Sequence, residues 1–305
     1  MKSKKGMLIL GIVLVVLLGI YGGLRYWGNK SQEAEAQKEE AETVHVVQTE
    51  DLSGFSYTDG TDTMSFAKEE DTWYYEADRE IPMVQDTVQT MADALQDVTA
   101  VRELQEPDAL EDYGLDAPSY TIEYTEEDGE TGTLYIGDMT GENYYAMPEG
   151  SENVYTIDST LVSALLFDLA DLAQTDTVPS ISSGNLVSVA VTENGQSQTF
   201  EEEDDLAELA GGFGVLSLTE CADYHVTDET LSKYGLEEEN RMTVQAVYTD
   251  TDTEEEETFT VYVGDEDEDG ENRYLMVDGS KMVYKVSTDV IGNMTTVSEG
   301  DEAEE

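Results

Sequence analysis

Four landmarks of this chain occur twice, in the same order. Tyr113-Gly114-Leu115, Ile136-Gly137-Asp138, Asn143-Tyr144-Tyr145 and Val154-Tyr155 return as Tyr234-Gly235-Leu236, Val263-Gly264-Asp265, Asn272-Arg273-Tyr274 and Val283-Tyr284. The offsets are 121, 127, 129 and 129 residues, and most of the drift falls at the acidic insertion around Asp250 to Glu257. A chain that repeats itself over such a length is constrained to one β-rich module built twice. Its 305 residues suit about two domains.

The pattern between the landmarks is mostly period two. Phe55 and Tyr57 alternate against Met64 and Phe66 across Asp59-Gly60, a hairpin turn signal, and Trp73 to Tyr75 forms a further strand. Tyr120, Ile122 and Tyr124 run to Asp128-Gly129 and return through Leu134 to Ile136; Tyr144 to Met147 and Val154 to Ile157 make the next pair. The second copy repeats this with Met242 to Tyr248, Phe259 to Val263, Tyr274 to Val277 and Met282 to Val286, after an opening hairpin turned by Asn194-Gly195. Helical period appears at Val84, Val88, Met91, Leu95 and Val98, with Pro82 just before. It appears again at Leu161, Leu165, Leu166, Leu169 and Leu172, capped by Asp158 or Ser159. The second copy keeps a short helix at Asp204 to Ala210, keeps a remnant of the closing one at Val290, Ile291 and Met294, and lacks an equivalent of Trp73 to Tyr75. The expected class is α+β: two related, mainly antiparallel sheets with helices on one face.

The chain opens differently. Lys2, Lys4 and Lys5 precede an uncharged apolar run from Met7 to Leu24, with Tyr21, Tyr26 and Trp27 at its far end. As a helix it spans about 30 Å, enough to cross a bilayer core. The lysines predict a cytoplasmic N-terminus and an extracellular bulk, held at the cell membrane by a single uncleaved span. The expected organisation is an anchor over 1–30, a polar stalk over 31–43, a first module over 44–178, a second, trimmed module over 179–297 and an acidic, disordered tail over 298–305.

All 70 acidic residues follow position 30, with 9 of the 14 basic ones, so the bulk carries 9 − 70 = −61. Such a surface repels nucleic acid and anionic lipid; it solubilises, and attracts cations and basic partners. The single cysteine, Cys221, excludes an intramolecular disulfide.

Few residues form a reactive pattern. Asp265, Asp267 and Asp269 with Gly270 match the first half of a calcium loop, but the position for a bidentate Glu holds Met276, so a weak calcium site is the most that this loop offers; no other cofactor is expected. Cys221 and His225 stand four apart, in acidic surroundings that raise a thiol pKa, and read better as structural. Trp73, Tyr144 and Tyr145 are the aromatics that could stack on a sugar or peptide. Tyr113, Gly114, Leu115, Gly137 and Asp138, with Tyr234, Gly235, Leu236, Gly264 and Asp265, read as structural motif positions, the Gly114 place needing a backbone angle that other residues resist.

At these landmarks the sequence resembles domain of unknown function 4340. The likeness rests on the anchor and stalk, Trp73 with Ile81-Pro82, Tyr113 to Pro118, Ile136 to Asp138, Tyr144 to Ala146 and Val154-Tyr155, over roughly residues 45 to 290. The second copy departs from it, with Glu237 to Asn240 in place of the Asp-x-Pro part. The resemblance implies a bacterial surface protein, accessory to a gliding-type ABC transporter, and carries no catalytic residues. The expected function is therefore a non-enzymatic extracellular interaction domain whose partners are transporter subunits or other surface proteins. A wall glycan or peptide binder is the alternative, and a hydrolase the third reading.

Overall fold

A computed structural model describes residues 43–298. The expected anchor and nearly all of the stalk and tail lie outside these residues. Among the described residues no helix is long and apolar enough to cross a membrane.

The first sheet contains β1 (His45–Gln48), β2 (Leu52–Thr58), β3 (Thr63–Glu69), β4 (Thr72–Tyr75), β5 (Asp97–Leu104), β6 (Tyr120–Glu126), β7 (Thr131–Thr140), β8 (Asn143–Pro148) and β9 (Val154–Asp158), in the order β1-β5-β9-β8-β7-β6-β2-β3-β4. The second contains β10 (Leu186–Glu193), β11 (Gln196–Phe200), β12 (Cys221–Asp223), β13 (Met242–Thr249), β14 (Glu256–Glu266), β15 (Asn272–Val277) and β16 (Val283–Ser287), in the order β11-β10-β13-β14-β15-β16-β12. Reversed, that order reads β12-β16-β15-β14-β13-β10-β11. It matches β5-β9-β8-β7-β6-β2-β3 strand for strand. The repeat in the sequence is thus a repeat of topology, and both sheets are mainly antiparallel. β1 and β4 have no counterpart among the described residues of the second copy.

Alternation explains the register. Along β13 every second residue turns inward, and Val244 and Ala246 are fully buried opposite Val261 and Phe259 of β14. In the first copy Ile122 lies opposite Leu134, both fully buried. Each of the larger ones, Val244, Val261, Ile122 and Leu134, contributes about 1.5–3 kcal/mol. One-residue slippage would turn the whole set to solvent.

The helices depart from expectation in three places. Gln85–Gln96 forms as read, burying Val88, Met91 and Leu95, but Val98 belongs to β5, a strand that the apolar stepping concealed. Pro82 precedes the helix, where its carbonyl accepts from Gln174 N at 2.7 Å. The leucine-rich stretch is not one helix but two short pieces, Thr160–Ala164 and Leu169–Leu172. Each is started by an aspartate: Asp158 Oδ1 accepts from Thr160 N at 2.7 Å and Asp168 Oδ1 from Ala170 N at 2.9 Å. The second copy's helix runs Glu203–Val215, five residues beyond Ala210. Gly212 lies in the extension. A Cβ there would lie 2.6 Å from backbone atoms of Asn293 and Met294, so its bare backbone packs onto the closing helix Thr288–Thr295.

By compactness the chain falls into two units. One holds β1 and β5 to β9; the other joins Ser53–Ser56 and Asp62–Ala92 to the residues from Ala164 on. Within the latter, Val84 N donates to Leu172 O at 2.8 Å, and Met83 bridges Ala173.

Candidate functional site

The repeated motif residues meet each other. Leu110–Tyr113 is a 3₁₀ turn closed by Gly114 at φ 67°, and Leu231–Tyr234 is one closed by Gly235 at φ 65°. Leu115 N then donates to Leu110 O at 3.0 Å, and Leu236 N to Leu231 O at 3.2 Å. Each turn lies against the end of the strand carrying Gly-Asp. A Cβ on Gly137 would collide with the carbonyl oxygen of Tyr113, and one on Gly264 with that of Tyr234. A Cβ on Gly114 would lie 2.6 Å from Asp138 Oδ1, and one on Gly235 2.5 Å from Asp265 Oδ1. Two stretches of backbone thus touch where only glycine fits.

The side chains repeat as well. Tyr113 and Tyr145 pack edge to face with centroids 4.9 Å apart, and Tyr234 and Tyr274 do the same at 4.9 Å. Around the first pair gather Leu115, Tyr135, Met147 and Val154; around the second, Leu236, Tyr262, Met276 and Val283. The two tyrosine hydroxyls differ. Tyr113 accepts from Asp108 N at 3.0 Å, whereas Tyr234 donates to Asp223 Oδ2 at 2.9 Å. Burial first, and then that bond, pushes the Tyr234 hydroxyl up to about 12.

The densest polar cluster sits nearby, in an open groove of about 430 Å³ lined by Glu80, His225, Asp228, Leu231, Met276 and Lys281 among others. His225 Nδ1 lies 2.7 Å from Asp78 Oδ2, and Nε2 lies 3.2 Å from Glu80 Oε2. Lys281 pairs with the same Glu80 carboxylate, and its Nζ is 3.4 Å from His225 Nε2. The bond to Lys281 holds the Glu80 carboxyl below its usual range. Asp223 Oδ1 accepts from His225 N at 3.0 Å, so one aspartate links the motif tyrosine to the groove. Each imidazole nitrogen already faces a carboxylate. The group is a four-residue charge cluster in which Glu80 is shared between His225 and Lys281.

Cys221 and His225 do not form a dyad. Cys221 is in β12, its thiol donates to Asp223 O at 3.2 Å, and burial pushes it up to about 11. A raised pKa lowers the thiolate fraction.

Trp73 is not a ligand contact. It is 2% exposed, its indole N–H donates to Gln89 Oε1 at 2.9 Å, and its ring meets Phe55 edge-on at 5.3 Å. Tyr145 is committed to Tyr113. Tyr144 is half-buried in β8, opposite Ile157; its counterpart Arg273 donates from Nε and Nη2 to Gly264 O at 2.9 and 2.6 Å.

The three loop aspartates take separate paths. Asp265 packs at Gly235; Asp267 accepts from Asn272 N and Nδ2 at 3.2 and 3.0 Å, bonds that lower its carboxyl; Asp269 lies in the exposed turn. Among the described residues no three His, Cys, Asp or Glu side chains converge as a metal set.

Sequence reasoning missed Asp78, Glu80 and Lys281 as companions of His225. They lie 147, 145 and 56 residues away along the chain, and no local motif spans such separations.

A family model described as Domain of unknown function (DUF4340) matches residues 73–211 and again residues 202–291. Each segment contains a helix, a Tyr-Gly-Leu turn and the four-stranded meander that follows it. No curated protein and no solved structure matches the chain.

Proposed function

The chain belongs to the DUF4340 family, and on that premise we propose that it is a non-enzymatic interaction domain, anchored in the cell membrane and displayed outside the cell as an accessory to a gliding-type ABC transport complex. One observation carries the non-enzymatic part. The residues that recur in both copies are spent on the contact between a turn and a strand end, so what was duplicated is a scaffold. The raised thiol pKa of Cys221 agrees with this. The membrane part is supported by the lysine-flanked apolar run near the N-terminus, and the transport part by the family resemblance.

The test is cross-linking on intact cells, followed by identification of the partners joined to this chain. The expected result is a transporter subunit or its extracellular companion, together with digestion of the bulk by protease added outside. Recovery of no transport protein removes the transport part. A chain protected from external protease removes the display.

A further inference from the structure

The two copies differ at one edge. In the first, β3 is covered by β4; in the second, the equivalent strand β11 ends the sheet. The edge of β4 is itself closed at Trp73. Trp73 N donates to Gln85 Oε1 at 2.7 Å and Gln85 Nε2 donates to Trp73 O at 3.0 Å, so one side-chain amide takes both outward groups. This is how a protein blunts an edge strand.

No such device covers β11. It pairs with β10 through a two-residue turn, Asn194-Gly195, both at positive φ, with Glu193 opposite Gln196. That register turns the backbone groups of Gln196, Gln198 and Phe200 toward β10, and those of Ser197 and Thr199 outward. The outward N–H and C=O groups of Ser197 and Thr199 have no partner among the described residues. The strand's first four side chains are exposed and uncharged, in a chain of net charge −56. Across β11, β10 and β13, inward of the free edge, lies an open groove of about 310 Å³ lined by Gln196, Gln198, Val191 and Met242, with Glu193 at one end. Glu201, Glu202 and Glu203 stand at the other end of β11.

We propose that β11 is a docking edge that accepts one extended segment of a partner protein as an added antiparallel strand, with basic residues at its ends. This rests on the reading of the chain as an interaction domain, and deepens it. Two observations choose the occupant. The first copy carries a strand of the fold at the same edge, which establishes that this geometry accepts one. Glutamates at both ends match a basic segment and repel a second copy of so acidic a chain.

The probe is a synthetic peptide of the strand Thr72–Tyr75 with two lysines added at each end, mixed with the full 305-residue chain in mild detergent. Amide hydrogen exchange, followed by mass spectrometry, should slow at least about tenfold over 196–200 with peptide present. The variant Thr199→Pro loses an outward N–H that the fold does not use, so it should keep its unfolding midpoint and bind the peptide at least about tenfold more weakly. The same peptide with glutamates at its ends should also bind at least about tenfold more weakly. Unchanged exchange over 196–200 at millimolar peptide overturns the proposal. Slow exchange there in the free chain that speeds up on dilution overturns it in favour of self-pairing. Cross-links from intact cells separate the two levels. Partners joined only at other surfaces sink the docking edge and leave the interaction reading standing; the absence of any partner sinks both.

Discussion

The carbonyl oxygen of Tyr234 fills the space in which a side chain on Gly264 would begin. Tyr113 and Gly137 stand in the same relation in the first copy. Gly264→Ala and Gly137→Ala must therefore push a turn off its strand, an overpacking that costs about 1–3 kcal/mol. Urea unfolding should show a lower midpoint for each variant, while Gly279→Ala, whose added carbon meets nothing within 4 Å, carries only the cost of its φ of 79°. Equal losses at all three positions would mean that backbone angle, not contact, explains the glycines.

Trp73 is a core residue. Trp73→Ala should destabilise the fold by about 3–5 kcal/mol. Trp73→Phe, which keeps an apolar ring but abandons the bond to Gln89, should cost less, about 1–2 kcal/mol. Thermal and urea melts check both. A Trp73→Ala protein that melts like the parent would return this residue to the surface and to the list of ligand contacts.

The Cys221 thiol should titrate near 11 in the folded protein and near its ordinary value once unfolded. The folded chain then holds a proton that the unfolded chain releases. Its contribution to stability is complete below about pH 9 and falls as pH rises from 9 toward 11. Absorbance of the thiolate at 240 nm follows the titration, and Cys221→Ser should remove the step. A folded-state midpoint at or below the ordinary value would contradict the burial.

Glu80 shifts the other way, drawn down first by its bond to Lys281. A carboxyl lowered in the fold adds stability above its ordinary pKa and loses it as pH falls through the lowered value. Glu80 is well exposed, and the effect on stability is correspondingly small. The clear readout is a carboxyl carbon titration by NMR, in which Lys281→Met moves the Glu80 midpoint upward. No movement would show that Lys281 does not hold it.

Much of this fold is legible in period and turn chemistry. Asp59-Gly60, Asp128-Gly129, Asn194-Gly195 and Asp278-Gly279 all fall at hairpin connections, because a tight turn between twisted strands needs positive φ. Legibility fails where two periods overlap or where a neighbour decides. Val98 continues the stepping of Val88, Met91 and Leu95, yet lies opposite Val47 as the first inward residue of a strand. The leucines from Leu161 to Leu172 suit one helix until Asp168 caps a new start inside them. Gly212 looks like a helix breaker; it is a contact surface for Asn293 and Met294. Trp73 has the composition of a ligand aromatic, yet Phe55 and Gln89, 18 and 16 residues away, enclose it in the core.

By itself the sequence determined that one sheet-forming unit occurs twice, that its turns and motif glycines sit where they do, and that the bulk is strongly acidic. These properties are written into residues a few places apart, where steric limits and alternation act directly. Tertiary structure alone decided that Asp78, Glu80 and Lys281 gather at His225, that burial is what raises the Cys221 thiol, and that Gly212 packs against Asn293 and Met294. Each of those depends on groups brought together from distant parts of the chain, and the energy of such a contact exists only once the backbone has closed the distance.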